Sequence, residues 1–354
     1  MPPSEETLSR GRTMPALTFV IPAYDEAPRL PAGVQRIHDA IGAGAIDPET
    51  TEFIVVDDGS TDDTASHAAR LFGGFPHVTV VRLSENRGKG GAVRAGVAAA
   101  SAPLIIFADA DMAIDPAQTP QFVRALDTFE LAIGSRAASG ASVNRPSIHR
   151  SVMNRTFNRF VNMVTRLSLD DTQCGFKAFR APAAKLLFHY SVIDRFAFDV
   201  EILSLARRFG LPLTQIPVQW LRVRGSRVRP SIDIGSMARD VFRAGRGSAS
   251  PPPVPALVVK GPDERVGGPG RPQSLELLGR ELSATLPVML RSDSELLVLC
   301  PLMTAAQIEA TAALITDRSD EFVLEPTEVT VDQLCALAPL SLTWADGQRS
   351  PVAP

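Results

Sequence analysis

The chain has 354 residues, 45% hydrophobic and 21% charged, which suits a soluble globular protein with one large domain plus a smaller one and excludes wholesale disorder. No run approaches 18 uninterrupted apolar residues, so no transmembrane helix is expected. The net charge of −3 hides an uneven distribution: residues 1–133 carry 10 basic and 18 acidic side chains, residues 134–250 carry 19 and 7, and residues 251–354 carry 7 and 14.

The basic middle third attracts anions (phosphates, nucleic acid or an anionic membrane face), and an arginine-rich solvated surface is its plain alternative. A low aromatic content of 6% and the lack of a recognition motif weigh against nucleic acid.

In chain order, residues 1–14 lack the apolar core of a secretory signal and read as a disordered tail. Residues 15–246 read as an α/β domain. Apolar runs at Leu17–Ile21, Phe53–Val56, Val78–Leu83, Leu104–Ala108 and Glu130–Ile133 alternate with helically spaced stretches such as Val34, Ile37, Ala40 and Ile41. This order predicts βαβ units with right-handed crossovers and a mostly parallel sheet flanked by helices. Runs without strict alternation suit strands buried on both faces.

Further along, Arg150–Leu167 predicts an amphipathic helix, in which Met153, Phe157, Phe160, Val161 and Val164 lie among Arg150, Arg155, Arg159 and Arg166. Phe198–Phe209 predicts another helix and Leu213–Val223 a strand. Residues 247–255, GSASPPPVP, read as a linker. Residues 256–354 form a small acidic α+β segment, with strands at Leu296–Leu299 and Phe322–Leu324 and a helix at Ala305–Ile315. It carries no motif and leaves regulation, dimerisation and partner binding equally open, as is the oligomeric state. Cys174, Cys300 and Cys335 are widely spaced with no C-x-x-C, so neither a disulfide framework nor a structural zinc site is expected, and a reducing cytosol is the simpler setting.

Polar chemistry gathers where the strands end, and in open α/β sheets ligands sit beyond the carboxyl ends of strands. The first strand ends in Pro22-Ala23-Tyr24-Asp25-Glu26, the second in Asp57-Asp58-Gly59-Ser60, and the fourth in Asp109-Ala110-Asp111. In extended chain, residues two apart face one side, so Asp109 and Asp111 would present both carboxylates to one ion. Hard oxygen donors suit Mg²⁺ or Mn²⁺ bridging a diphosphate, and a loop or helix cap is the plain alternative for D-x-D alone. Asn86-Arg87-Gly88-Lys89-Gly90-Gly91 follows the third run and opens a helix whose N-terminus, with Arg87 and Lys89, favours phosphate; a simple turn is the alternative.

The segments PAYDE, VVDDGSTDDT, NRGKGGAVRAG, DAD, GSR, DTQCGFKAF and FAFDVEIL occur in that order. Together they resemble the inverting family-two glycosyltransferases of GT-A fold over residues 16–245. More narrowly they are similar to the dolichyl-phosphate β-glucosyltransferase branch, with the polyprenyl-phosphate mannose synthases close behind. The resemblance implies a donor site for a nucleotide sugar at Pro22, Ala23, Tyr24, Glu26, Asp57, Asp58, Lys89, Asp109 and Ala110. It implies Mg²⁺ or Mn²⁺ at Asp109 and Asp111 with Gln173 as a third group, and acceptor phosphate contacts at Arg136, Arg150 and Arg227. Asp111, Gln173 and Asp199 are the implied catalytic residues; in many relatives an acid near Asp199 is the general base. A phosphate monoester with a second pKa of about 6 is already a dianion at neutral pH, so Asp199 would rather orient the sugar or acceptor, or simply favour a helix N-terminus.

The implied reaction moves a hexose, glucose from UDP-glucose, onto a polyprenyl phosphate with inversion, in the manner of cell envelope glycan synthesis. GDP-mannose is the alternative donor, and a non-catalytic nucleotide-sugar-binding protein of the membrane surface is the alternative of another class. The absence of the N-terminal anchor of the eukaryotic enzymes implies a cytoplasmic protein, peripheral on the inner face of the membrane. Contact with the bilayer would rest on the Arg150–Leu167 helix, on Ile232–Arg246, or on Arg222, Arg224, Arg227 and Arg229.

Overall fold

The computed structural model describes residues 14–143, 148–221, 239–245, 253–260, 288–292, 295–303, 305–318 and 323–329, with single residues 278 and 282. Arg227, Arg222, Arg224, Arg229, the tail through residue 13, most of the expected linker, and Cys335 lie outside these residues.

The first half alternates strand and helix: β1 (Leu17–Ala23), α1 (Leu30–Gly42), β2 (Thr51–Asp57), α2 (Thr64–Phe72), β3 (His77–Arg82), α3 (Lys89–Ala99), β4 (Leu104–Ala108), α4 (Thr119–Ala125) and β5 (Leu131–Ser135). Then come β6 (Ser142–Val143), α5 (Ile148–Thr165), β7 (Phe176–Arg180), α6 (Ala181–Tyr190), α7 (Phe198–Arg208), β8 (Leu213–Pro217) and β9 (Gln219–Trp220).

Seven strands form one sheet in the order β3-β2-β1-β4-β7-β5-β8. Every pairing is parallel except those of β7 with β4 and β5. This is the α/β class expected from the sequence, a mostly parallel sheet flanked by helices. Alternate residues feed two cores. Phe19, Ile21, Phe53, Val55 and Ile106 pack with α1, α2 and α4, whereas Val20, Ile54, Val56, Ile105 and Phe107 pack with α3, α6 and α7. Burial on both faces explains the unbroken apolar runs. Each such side chain contributes about 1.5–3 kcal/mol relative to exposure.

The expected strand Leu213–Val223 is broken at Val218. Pro217 pairs with Ser135 at the end of β8 but has no N–H to continue the ladder, and Gln219-Trp220 moves to β6 instead. The antiparallel β7 and the helix α6 had no counterpart among the expected elements.

After the Pro-rich stretch, β10 (Val254–Lys260), β11 (Val288–Ser292), β12 (Glu295–Leu299), α8 (Ala305–Arg318) and β13 (Val323–Val329) follow, and the strands form an antiparallel sheet in the order β11-β12-β10-β13. The expected linker therefore ends early, because Val254 and Pro255 already belong to β10. Alternation explains it: Val254, Ala256 and Val258 pack into the same core as α6 and α7, while Leu257 and Val259 pack with Ile315 of α8.

Candidate active site

The carboxyl ends of β1, β2 and β4 meet at one edge, as the switch-point rule requires. Asp109 to Met112 is not extended chain, contrary to the sequence reading. It is a tight turn in which the Met112 N–H donates to the Asp109 carbonyl (2.8 Å) and Met112 adopts φ 44°. The α1 helix grips this turn. Gly33 lies so close that a Cβ would overlap the Ala110 carbonyl, and Arg36 Nη1 donates to the carbonyls of Asp111 (2.6 Å) and Met112 (2.9 Å).

The two carboxylates are neighbours despite the turn. Burial first, and then the Asp109 charge, push the Asp111 carboxyl above its usual range. Arg29 Nη1 stands 3.5 Å from Asp111 and also pairs with Glu26. Lys89 Nζ lies 2.6 Å from Asp109 Oδ1, between the rings of Phe107 and Phe198. Burial works against the Lys89 charge, and Asp109 and Asp199 outweigh it, so the ammonium is held above its ordinary pKa. Gly175 makes room for Asp109: a Cβ there would overlap the carboxylate, and the Gly175 carbonyl accepts from the Asp109 N–H (3.2 Å).

On the β1 and β2 side, Ala23 is buried and its carbonyl accepts from the Asp58 N–H (2.9 Å), Pro22 is partly covered, and Tyr24 is 36% exposed. Asp25 holds φ 47° and accepts from the Thr61 N–H (2.8 Å). Asp57 is fully buried. Its Oδ1 accepts from the Ser60 N–H (3.0 Å), while Oδ2 has Arg82 Nε 3.3 Å away and no hydrogen bond.

Asp58 does something else. Its two oxygens accept the N–H groups of Arg87 (2.9 Å) and Gly88 (2.8 Å), and the Gly91 N–H donates to the Asp194 carbonyl (3.1 Å). The phosphate cradle expected of NRGKGG is thus corrected: a carboxylate of the protein itself takes the anion position ahead of α3. Burial keeps the Asp58 carboxyl above its usual range despite these bonds. Gly88 has φ 101° and a Cβ would strike the Asp194 carbonyl, so glycine is required there.

Gln173, Arg136 and Asp199 complete the neighbourhood, and the Asp109 charge acts on both Arg136 and Asp199. Gln173 Nε2 is buried with no hydrogen-bond partner. Arg136 donates through Nε (2.7 Å) and Nη2 (3.0 Å) to Asp171. Asp199 is buried and receives Lys177 Nζ at 2.5 Å; Lys177 also donates to the Cys174 carbonyl (2.7 Å). Burial pushes the Asp199 carboxyl up, opposed by Lys177 and Lys89. Glu201, two residues on in the same first turn, accepts from Ser191 Oγ (2.7 Å) and from the N–H groups of Val192 (3.1 Å) and Ile193 (2.9 Å), fixing the segment that meets the Gly88 loop. Cys174 is buried with its thiol pushed up to about 12, so it is no nucleophile. Arg150 lies on α5, but its side chain is outside the described residues.

Sequence reasoning missed Asp171, Gly175, Lys177, Arg29 and Arg36. A lysine inside the apolar strand FKAFR was the available signal, because a buried ammonium needs a partner.

The family model for glycosyl transferase family 2 matches residues 18–188, and with the relatives that follow it shows that the chain belongs to that family. A dolichyl-phosphate beta-glucosyltransferase of Drosophila melanogaster is 37% identical over 240 residues, spanning 64% of this chain and 73% of that protein. The Homo sapiens protein of the same name is 34% identical over 238 residues, spanning 64% and 74%. A crystal structure of glucosyl-3-phosphoglycerate synthase from Mycobacterium tuberculosis, in complex with Mn²⁺, uridine-diphosphate and glucosyl-3-phosphoglycerate, aligns with a TM-score of 0.46 and 22% identity, covering 65% of this chain and 78% of that one.

Proposed function

We propose that this protein transfers glucose from UDP-glucose to a dolichyl-type polyprenyl phosphate, giving a β-linked lipid-phosphate glucose and UDP. The carrying observation is the gathering of Lys89, Asp109 and Asp111 at the sheet edge, with Arg136 close enough for the Asp109 charge to act on it; the relatives' names supply glucose and dolichyl phosphate, and the nucleotide is this reading's own.

The donor set fits a divalent cation of the Mg²⁺ or Mn²⁺ type. Asp109 and Asp111 offer hard oxygens close enough to disfavour each other's charge, and Gly175 leaves the space Asp109 needs; the buried Gln173 Nε2, a donor without a hydrogen-bond partner, suits a diphosphate oxygen beside the ion rather than the ion itself. Asp109 and Asp111 would be the two carboxylate ligands, and the side-chain carbonyl oxygen of Gln173 is the third group the protein would offer. Held by Asp109 and Asp111, a divalent cation would supply charge neutralisation for the departing diphosphate.

The protein's own residues do the rest. Asp57, whose Oδ2 makes no hydrogen bond although Arg82 lies 3.3 Å away, would accept the ring N–H of uracil, beside Tyr24, Pro22 and Ala23. Lys89 counters the diphosphate charge. An acceptor phosphate oxygen, already anionic, attacks the anomeric carbon opposite the diphosphate; the new C–O bond forms as the old one breaks, and the configuration inverts. No strong base is required, and Asp199, engaged by Lys177, orients substrate rather than taking a proton.

The acceptor is a lipid, so the reaction takes place at a membrane surface, in this reading the cytoplasmic one; among the described residues no helix is long and apolar enough to cross a membrane. Exposed Arg155, Arg159 and Met163 on α5, with Phe242 beside it, support peripheral contact. Purified protein with labelled UDP-glucose, polyprenyl phosphate and Mn²⁺ is expected to form a glycolipid. No transfer from UDP-glucose, or preferential transfer from GDP-mannose, rejects this donor.

A further inference from the structure

Among the buried ionisable groups, Asp171 is the one whose hydrogen bonds all lead to residues of the acceptor and metal side. Its Oδ2 accepts from the backbone N–H (3.0 Å) and Nε (2.7 Å) of Arg136; its Oδ1 accepts from Arg136 Nη2 (3.0 Å) and the Gln173 N–H (3.1 Å). Four donors on one carboxylate leave it little freedom. The neighbouring loop is tied down as well: Asn158 of α5 accepts from the Thr172 N–H (3.2 Å) and hydroxyl (3.1 Å), and donates to the carbonyls of Leu169 (2.7 Å) and Asp170 (2.9 Å).

Arg136 itself remains 26% exposed, and its Nη1 has no hydrogen bond among the described residues. A guanidinium has two usable edges, and a carboxylate gripping one aims the other.

We propose that Asp171 is a positioning residue for the acceptor: by occupying the Nε/Nη2 edge of Arg136 it presents Nη1 to the acceptor phosphate. This rests on the proposed transfer to a polyprenyl phosphate. The opposite arrangement is also physical, with Asp171 competing against the phosphate for Arg136, and the two differ in sign. If Asp171 positions, losing its charge weakens acceptor binding, because the guanidinium swings free and pays rotamer entropy on each encounter. If Asp171 competes, losing its charge frees a full cation and tightens acceptor binding.

The test is steady-state kinetics of Asp171→Asn with a short-chain, water-soluble prenyl phosphate as acceptor, alongside calorimetric titration of UDP-glucose with Mn²⁺. Positioning predicts an acceptor KM raised about tenfold and a UDP-glucose Kd changed less than about threefold. In a double-mutant cycle, Arg136→Lys, which keeps the charge but loses the fork, adds nothing further to Asp171→Asn. An acceptor KM that is unchanged or lower, or one that moves in step with the donor Kd, overturns the proposal. Should Asp171→Asn not fold, Asp171→Glu keeps the charge and shifts the oxygens by one methylene; a selective rise in acceptor KM supports positioning, and a wild-type acceptor KM overturns it. Wild-type protein that transfers nothing to the prenyl phosphate would instead sink the functional reading beneath it.

Discussion

At Asp111, burial and the adjacent Asp109 charge both disfavour the ionised carboxylate, and Arg29 offsets them only in part. A site built to hold a cation carries such repulsion in its empty state, so stability and activity respond oppositely to its removal. Asp111→Asn is therefore expected to leave the melting temperature unchanged or higher while lowering transfer about 100-fold or more. Calorimetry and the glycolipid assay on one preparation check both halves; a clear drop in melting temperature would mean Asp111 holds the fold. Lys177 behaves the other way. It is fully buried against Asp199, so Lys177→Met strands a buried carboxylate and is expected to cost about 3–5 kcal/mol, read as a shift in urea midpoint. Lys177→Met with Asp199→Asn is expected to recover most of that loss.

At the scale of elements, the loop ahead of α3 is clamped from two sides, by the Asp58 carboxylate and the Asp194 carbonyl. Lys89 is the first residue of the helix that loop opens, so its reach to Asp109 depends on the clamp. Asp58→Ala leaves the Arg87 and Gly88 N–H groups without partners and is expected to cost about 1–3 kcal/mol. Hydrogen exchange at Arg87 and Gly88 should accelerate while exchange in β1 does not; equal acceleration would contradict a local clamp. The same loop shows what the chain order of residues revealed and what it concealed. Strands β1, β2 and β4 were legible because burial on both faces leaves unbroken apolar runs, and acidic residues at their ends marked the site edge. The partner of the Gly88 amides was not legible, because Asp58 and Gly88 are 30 residues apart and only folding brings them together. Antiparallel β7 runs directly into α6 with no loop between them; Pro182 at the first turn of α6 was the one signal that separated the strand from the helix. Asp171 escaped notice because its function lies in a partner 35 residues away.

For the whole molecule, the C-terminal sheet is joined to the transferase fold through α6. Val254, Ala256, Val258, Leu297, Leu299 and Val329 share a core with Tyr190 and Phe209, and Tyr190 Oη donates to the Val329 carbonyl (3.5 Å). His189 bridges the seam: Nδ1 accepts from the Leu302 N–H (3.3 Å), so Nε2 carries the proton it donates to the Pro253 carbonyl (3.3 Å). That pattern needs the neutral ring, and burial accordingly lowers the His189 pKa from 6.5. Above pH 6.5 the ring is neutral docked or undocked, and nothing is lost. As the pH falls below that value the undocked ring takes a proton first, so docking weakens until the docked pKa is passed. Limited proteolysis between residues 246 and 260 is expected to speed up from pH 7.5 to 5.5, and His189→Gln, which can still donate and accept, is expected to flatten that dependence. Deleting residues 251–354 should then do more than remove an appendage: it bares the apolar faces of Tyr190 and Phe209, so the shortened chain is expected to melt lower and to associate at concentrations where the full chain does not. A truncated protein of unchanged melting temperature and monodispersity would show that the seam, despite its shared core, contributes nothing to the transferase fold.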